Sequence, residues 1–216
     1  MKALIVSNRW FFIPFFFLFA IGLSIEFING SVAFTFWLNE QHTPYLDSFF
    51  RMSTWLGEGL VIGLFILLLL FIRFSWALFL FVAIIINTAI TQWLKHFFNH
   101  DRPSLALEGE NLPFVDGVEL YQHFSFPSGH TSAAFCLYLM LAMMSGYKRS
   151  GVLFLFTAFL VGFSRIYILQ HFLRDVLFGA TIGVVVALIV YLILGNWKVF
   201  ERRVWKSSLR TVFKKK

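Results

Sequence analysis

Six apolar stretches constrain this chain more than any other feature. They run roughly over residues 10–28, 57–72, 76–94, 131–146, 152–168 and 176–194, about half of the 216 residues. A bilayer-crossing helix needs about 20 predominantly apolar residues and must satisfy its own backbone where no water is available. Charged residues make up 13% of the chain, against about 25% in an average soluble domain, so a water-soluble globule does not fit. The pattern predicts an all-α integral membrane protein with six transmembrane helices, folded as one domain over residues 1–216 without repeats or a soluble module. The first apolar run is long and no small-x-small cleavage site follows it, so it is expected to be retained and not removed as a signal peptide. A single cysteine, Cys136, excludes an internal disulfide or a thiolate metal cluster.

The formal charge of +7 becomes informative once it is placed along the chain. Lys2, Arg9, Arg73, Lys148, Arg149, Lys198, Arg202, Arg203, Lys206, Arg210, Lys214, Lys215 and Lys216 fall at the two termini and the two short even-numbered turns. These are 13 of the 18 basic residues, while nine of the eleven acids fall on the other side. Lys and Arg near span ends mark the cytoplasmic side, so both termini are expected inside and the acidic loops outside. That places the protein in the inner or plasma membrane, with its outward loops on the periplasmic or extracellular face.

Residues 29–54 are too polar to cross, but Pro44 stands ahead of Tyr45, Leu46, Phe49, Phe50 and Met52. An extra helix lying in the outer interface is expected there. Residues 198–216 set Phe200, Val204, Trp205, Leu209, Val212 and Phe213 among eight basic residues. Two readings fit this tail: an amphipathic strip on an anionic leaflet, or a solvated segment that only sets topology. No basic or aromatic reading surface recurs elsewhere, so nucleic acid is not an expected partner. Glu26, late in the first span, reads either as an interfacial acid or as part of a pocket.

Ionisable groups at the membrane edge are costly and point to function, and three clusters of them share the outward ends of spans 3 to 6. In the first, Lys95 and Arg102 are seven residues apart, which on a continuous helix places them two turns apart on nearly one face. Pro103 is where that helix should stop, and Thr88, Thr91 and Gln92 extend a polar stripe below Lys95. In the second, Pro127-Ser128-Gly129-His130 precedes the fourth span. Pro, Ser and Gly begin helices, exposed first-turn N–H groups cradle phosphate, and Gly129 lets the backbone approach closely. In the third, Ser164-Arg165 leads to His171 and Asp175, spaced i, i+4 so that the carboxylate orients the imidazole. Arg165 and His171 are six apart, so a turn must intervene for both to face one ligand. His130 and His171 have cationic neighbours that disfavour a divalent ion, and no H-E-x-x-H pair is present, so no metal site is expected. His96 and His100 read as loop or headgroup contacts, and His42 and His123 carry no role.

Together the clusters resemble the type 2 phosphatidic acid phosphatase (PAP2) superfamily, whose signature is K-x6-R-P, P-S-G-H and S-R-x5-H-x3-D. Lys95-x6-Arg102-Pro103, Pro127-Ser128-Gly129-His130 and Ser164-Arg165-x5-His171-x3-Asp175 match at every motif position, over residues 95–175. The resemblance implies the helical bundle shared with soluble haloperoxidases, and a phosphatase that needs no metal or other cofactor. It implies that His171 attacks phosphorus to form a phosphohistidine, that Asp175 orients it, and that His130 is the general acid. Lys95, Arg102, Arg165, Ser128 and Gly129 would then bind the phosphoryl group. The implied partner is a phosphorylated lipid on the non-cytoplasmic face. Undecaprenyl diphosphate is the expected substrate on generality of need, followed by lipid A and then phosphatidylglycerophosphate or phosphatidic acid. A transporter would spread charge along its spans or break them at mid-membrane, and a purely structural membrane protein would have no use for two histidines beside three cations.

Overall fold

The computed structural model of the chain describes residues 1–110 and 112–213, and these form helices joined by turns and loops. In chain order the helices are α1 (Lys2–Ser7), α2 (Arg9–Asn39), α3 (Pro44–Ser53), α4 (Gly59–Leu70), α5 (Phe74–Phe98), α6 (Pro103–Ala106), α7 (Gly129–Met144), α8 (Gly151–Tyr167), α9 (Leu173–Gly195), α10 (Arg203–Lys206) and α11 (Leu209–Phe213). Four segments, Arg9–Asn39, Phe74–Ala106, Lys148–Tyr167 and Leu173–Gly195, are long and apolar enough to cross a membrane. Pro44–Gly57 and Gly59–Leu70, bent by 48° where they meet, make a fifth by the same measure. The chain is therefore an all-helical integral membrane protein.

The remaining apolar stretch, the fourth along the chain, folds as α7, which has 16 residues and falls short on length alone. Its position explains why it can be short. α8, α9 and α5 pack around it, and everything from Ala134 to Met144 is buried, so α7 meets protein where the other helices meet lipid. A helix shielded in this way need not match the bilayer thickness. Small residues let α9 approach: a Cβ at Gly179 would stand 2.6 Å from the Ser128 carbonyl oxygen, and one at Gly183 would collide with the Ser132 carbonyl oxygen. Cys136 is buried inside α7.

Residues 29–54 form two helical pieces where a single helix was expected. α2 breaks at Gly30 (φ 76°, ψ 158°) but resumes to Asn39, and α3 follows. Thr43 Oγ1 accepts from Leu46 N at 3.3 Å, Pro44 occupies the first turn, and Asp47 and Arg51 sit at the helix ends that favour their charges. Phe50 of α3 packs on Tyr167 and Phe163 of α8, with ring centroids 4.4 and 5.4 Å away. At the Gly30 break, Ser31 Oγ donates to Glu26 Oε2 (2.5 Å) and accepts from Arg174 N (3.1 Å). Glu26 thus helps to pin α2 to the start of α9.

Basic residues gather at one end of the bundle. Lys148 Nζ donates to Asn8 Oδ1 at 3.3 Å, and the guanidiniums of Arg9 and Arg149 lie 6.0 and 5.8 Å from the Trp10 ring. Phe74 N donates to Ser207 O at 2.9 Å, which brings the tail to the same end. Phe200 is buried against Phe79 and Trp205, centroids 5.0 and 5.2 Å away. The tail up to Ser208 is thus docked, with its cations outward; Lys214, Lys215 and Lys216 lie outside the described residues.

Candidate active site

At the opposite end, a cleft of about 650 Å³ is lined by Lys95, Arg102, His130, Arg165 and His171, together with Glu58, Tyr121 and Gly129. It continues downward between α4 and α5, with Ile62, Ile66, Phe81, Ile84 and Ile85 on its walls. The stripe expected below Lys95 is there: Asn87, Thr88, Thr91 and Gln92 line the same cleft. Asn87 and Thr91 are buried and tie α5 to α7, since Ser132 Oγ donates to Asn87 Oδ1 at 2.6 Å and Thr91 Oγ1 to Ser132 Oγ at 3.4 Å. Thr88 and Gln92 are exposed in the cleft. A separate groove of about 270 Å³ between α2, α8 and α9, walled by residues such as Phe19, Leu155 and Val176, has apolar walls and no reactive group.

Two expected geometries need correction. Lys95 and Arg102 do not share a continuous helix: α5 ends at Phe98, and Asn99 takes the left-handed conformation (φ 42°) that closes a helix C-terminus. Arg102 arrives on a loop and caps α6, so Pro103 begins a helix where it was expected to end one. The loop is held by Arg102 N to Gln122 O (2.7 Å), Arg102 Nε to His123 O (3.0 Å) and Ser125 N to His100 O (2.8 Å). Likewise, His171 and Asp175 do not lie on one helix. The chain leaves α8 after Tyr167, Leu169 has φ 55°, and His171 stands in the connection before α9. The turn required between Arg165 and His171 is there.

Asp175 caps α9 by accepting from Phe172 N at 3.0 Å, and its Oδ2 also accepts from Ser125 Oγ at 2.6 Å. His171 Nδ1 lies 3.6 Å from that carboxylate oxygen and 3.5 Å from Ser125 Oγ. The first distance exceeds an ordinary N–H···O bond, and such contacts in empty sites commonly tighten on substrate binding. With Nδ1 turned to Asp175 and Ser125, Nε2 is the nitrogen left to react. Ser128 is fully buried and caps α7, with Oγ 2.8 Å from Thr131 Oγ1 and 3.5 Å from Thr131 N, so its hydroxyl is engaged within the helix start. Ser128 N itself donates to Asp175 O at 3.0 Å, which locks the α7 start to the α9 start.

Lys95 Nζ donates to Phe124 O at 2.8 Å and Arg165 Nη1 to Thr54 Oγ1 at 2.7 Å. Arg165 Nε is buried and finds no partner among the described residues. A buried, unpaired guanidinium donor is costly and marks where an anion would complete the site. Sequence reasoning missed Ser125, Thr54 and Gln170. Gln170 is 1% exposed, and its Oε1 accepts from Arg102 Nη1 at 2.6 Å and from Arg165 Nη2 at 3.4 Å. The available signal was an amide directly before the motif histidine. His42 and His123 take local partners, Asp47 and Asp101, each 2.9 Å away.

Burial, and then the charges of Arg102, Arg165 and Lys95, push the pKa of His171 well below its ordinary 6.5. The imidazole is therefore neutral at that pH and above, and gains a proton only under more acidic conditions. Carbon-13 labelling of the six histidines, with His171→Ala to assign the missing signal, should give a titration midpoint for His171 below 6.5. A midpoint at or above that value would contradict the electrostatic reading.

Comparison with known proteins agrees with this arrangement. The PAP2 superfamily pattern matches residues 76–198, more than half of the chain. Lipid A 4'-phosphatase of Porphyromonas gingivalis is 29% identical over 170 residues, covering 71% of this chain and 68% of that protein. Phosphatidylglycerophosphatase B of Bacillus subtilis is 28% identical over 165 residues, covering 68% and 74%. Among solved structures, Aquifex aeolicus LpxE superposes with a TM-score of 0.68 at 31% identity, covering 78% of this chain and 98% of that one. Cations, histidines and a helix start around one cleft, the full set of motif residues and this match leave one assignment: the chain belongs to the PAP2 superfamily and is a membrane-embedded phosphatase of that family.

Proposed function

We propose that this chain, acting as a single domain over residues 1–216, removes phosphate from a lipid headgroup through a phosphohistidine at His171. The observation that carries the reading is the meeting of Lys95, Arg102, Arg165, His130 and His171 at the top of a cleft whose lower walls are apolar. A phosphate at that level leaves its lipid tails in hydrocarbon. Phosphoryl transfer depends mainly on positioning and charge stabilisation, and three cations with the α7 N-terminus at Gly129, held in place by the Ser128 cap, supply both. His171 Nε2 attacks phosphorus while the bond to the leaving oxygen breaks, and His130, protonated beside the bound phosphate, gives that oxygen its proton. Asp175 holds Nδ1 and stabilises the positive ring. Water then attacks the phosphohistidine, His130 takes its proton, and phosphate leaves with His171 restored.

All six apolar segments cross the bilayer in this reading, with α7 as the shielded one and α3 lying in the outer interface. The cluster of basic residues at the far end of the bundle supports cytoplasmic termini and an active site on the periplasmic or extracellular face of the inner or plasma membrane. The docked tail sets its cations toward anionic headgroups. Undecaprenyl diphosphate, expected on generality, competes with a second reading: a sugar- or glycerol-linked phosphate monoester, as in lipid A or phosphatidylglycerophosphate. The similarity to a lipid A 4'-phosphatase and a phosphatidylglycerophosphatase B favours the second, and Thr88 and Gln92, exposed below Lys95, could bond to hydroxyl, ester or amide groups beneath the phosphate.

Phosphate release by detergent-purified protein, measured in excess EDTA, tests both points. Lipid A, phosphatidylglycerophosphate and phosphatidic acid should be hydrolysed faster than undecaprenyl diphosphate, with full activity in chelator. Release that stops in EDTA would overturn the metal-free mechanism, and preference for the polyprenyl substrate would return the reading to undecaprenyl diphosphate.

A further inference from the structure

We propose that Gln170 is a positioning residue that holds the two active-site guanidiniums in their phosphate-binding arrangement, an inference that rests on the phosphatase reading above. Arg102 and Arg165 line one cleft, where their like charges repel each other. Something must hold them in place before phosphate arrives. The Gln170 amide is 1% exposed and sits between them, with Oε1 2.6 Å from Arg102 Nη1 and 3.4 Å from Arg165 Nη2. Its backbone carbonyl takes a further, longer contact from Arg102 Nη1 at 3.4 Å. Its Nε2 donates to Glu119 O at 2.9 Å, which ties the pair to the loop that also carries Tyr121, whose ring lies 5.2 Å from the Arg102 guanidinium.

The choice of an amide follows from the charge arithmetic. A carboxylate at this point would hold both arginines more strongly, but it would neutralise the field that phosphate needs and would compete with phosphate for the same donors. An aliphatic side chain would remove the one acceptor the two guanidiniums share, leaving Arg102 its backbone acceptors and Arg165, among the described residues, only Thr54 Oγ1. A neutral amide orients them and leaves their charge available, and most of the catalysis of phosphoryl transfer comes from charge preorganised in this way. Arg102 then keeps Nη2, and Arg165 keeps the unpartnered Nε, for the ligand.

The test is a double-mutant cycle on the full chain in detergent, read by the dissociation constant of orthovanadate, a mimic of the transferring phosphoryl group. Gln170→Met, close to glutamine in length and volume, should weaken orthovanadate binding about tenfold, and Arg102→Ala at least as much, while the double variant should lose clearly less than the product of the two, because with Arg102 gone only Arg165 is left for Gln170 to hold. A purely structural role for Gln170 would make the two losses multiply, and this, or unchanged binding in Gln170→Met, overturns the proposal. Unchanged binding in Arg102→Ala would instead refute the phosphate-site assignment. Should Gln170→Met not fold, Gln170→Glu keeps the size and the acceptor oxygens. It should also weaken orthovanadate binding, and wild-type affinity there would overturn the proposal.

Discussion

His171→Ala is expected to lower phosphate release by about 10⁴-fold or more, the scale of losing a covalent nucleophile. His130→Ala separates the two chemical steps. With a leaving group that needs no protonation, such as p-nitrophenolate, the first step should still proceed, while hydrolysis of the intermediate should slow for want of a base to activate water. Quenching His130→Ala after exposure to phosphorus-32-labelled substrate should therefore reveal acid-labile label on His171, absent from His171→Ala. Both histidines line the same cleft, and the buried pair of Asp175 and Ser125 at Nδ1 leaves Nε2 for phosphorus. Substantial turnover by His171→Ala, or label on another residue, would remove the phosphohistidine from the mechanism.

The second large effect comes from a residue with no side chain. On helix propensity, Gly179→Ala in the interior of α9 should stabilise by about 1 kcal/mol. Packing reverses the sign, because the new Cβ would stand 2.6 Å from the Ser128 carbonyl oxygen, a backbone atom that cannot rotate away. α9 must shift from α7, and the hydrogen bond from Ser128 N to Asp175 O lies directly across that contact. Overpacking of this kind costs about 1–3 kcal/mol, and a displacement of about 1 Å between reacting groups costs about 100-fold in rate. Gly179→Ala should thus lower the melting temperature in detergent and cut turnover by roughly two orders of magnitude. An unchanged melting temperature with full activity would show that the two helices are not in this contact.

The three motifs were legible because each is short and chemically explicit, and the spans because apolar runs of bilayer length have few other uses. The routes by which the motif residues reach one another were less legible. Lys95 to Arg102 reads as two helical turns until Asn99 adopts the left-handed conformation. Asn tolerates that conformation better than most residues, so a break at Asn99 is compatible with the sequence, but the loop path depends on bonds from Arg102 to Gln122 and His123. His171 and Asp175 satisfy helical spacing equally well with a helix between them or with a turn followed by a cap, and the second is what forms. Thr54, Ser125 and Gln170 belong to no motif, yet each bonds to a motif side chain.

Membrane residence, the family, the motif residues and the sorting of positive charge to one end were determined by the sequence alone, because each is a sum over local features: hydropathy, motif identity and charge count. Tertiary structure decided what α7 faces, how Arg102 enters the cleft, which nitrogen of His171 is free, and that a glutamine stands between two arginines. Those outcomes depend on backbone conformation at single residues such as Asn99 and Leu169 and on contacts between segments far apart in the chain, where a displacement of an ångström separates a working site from a scattered one.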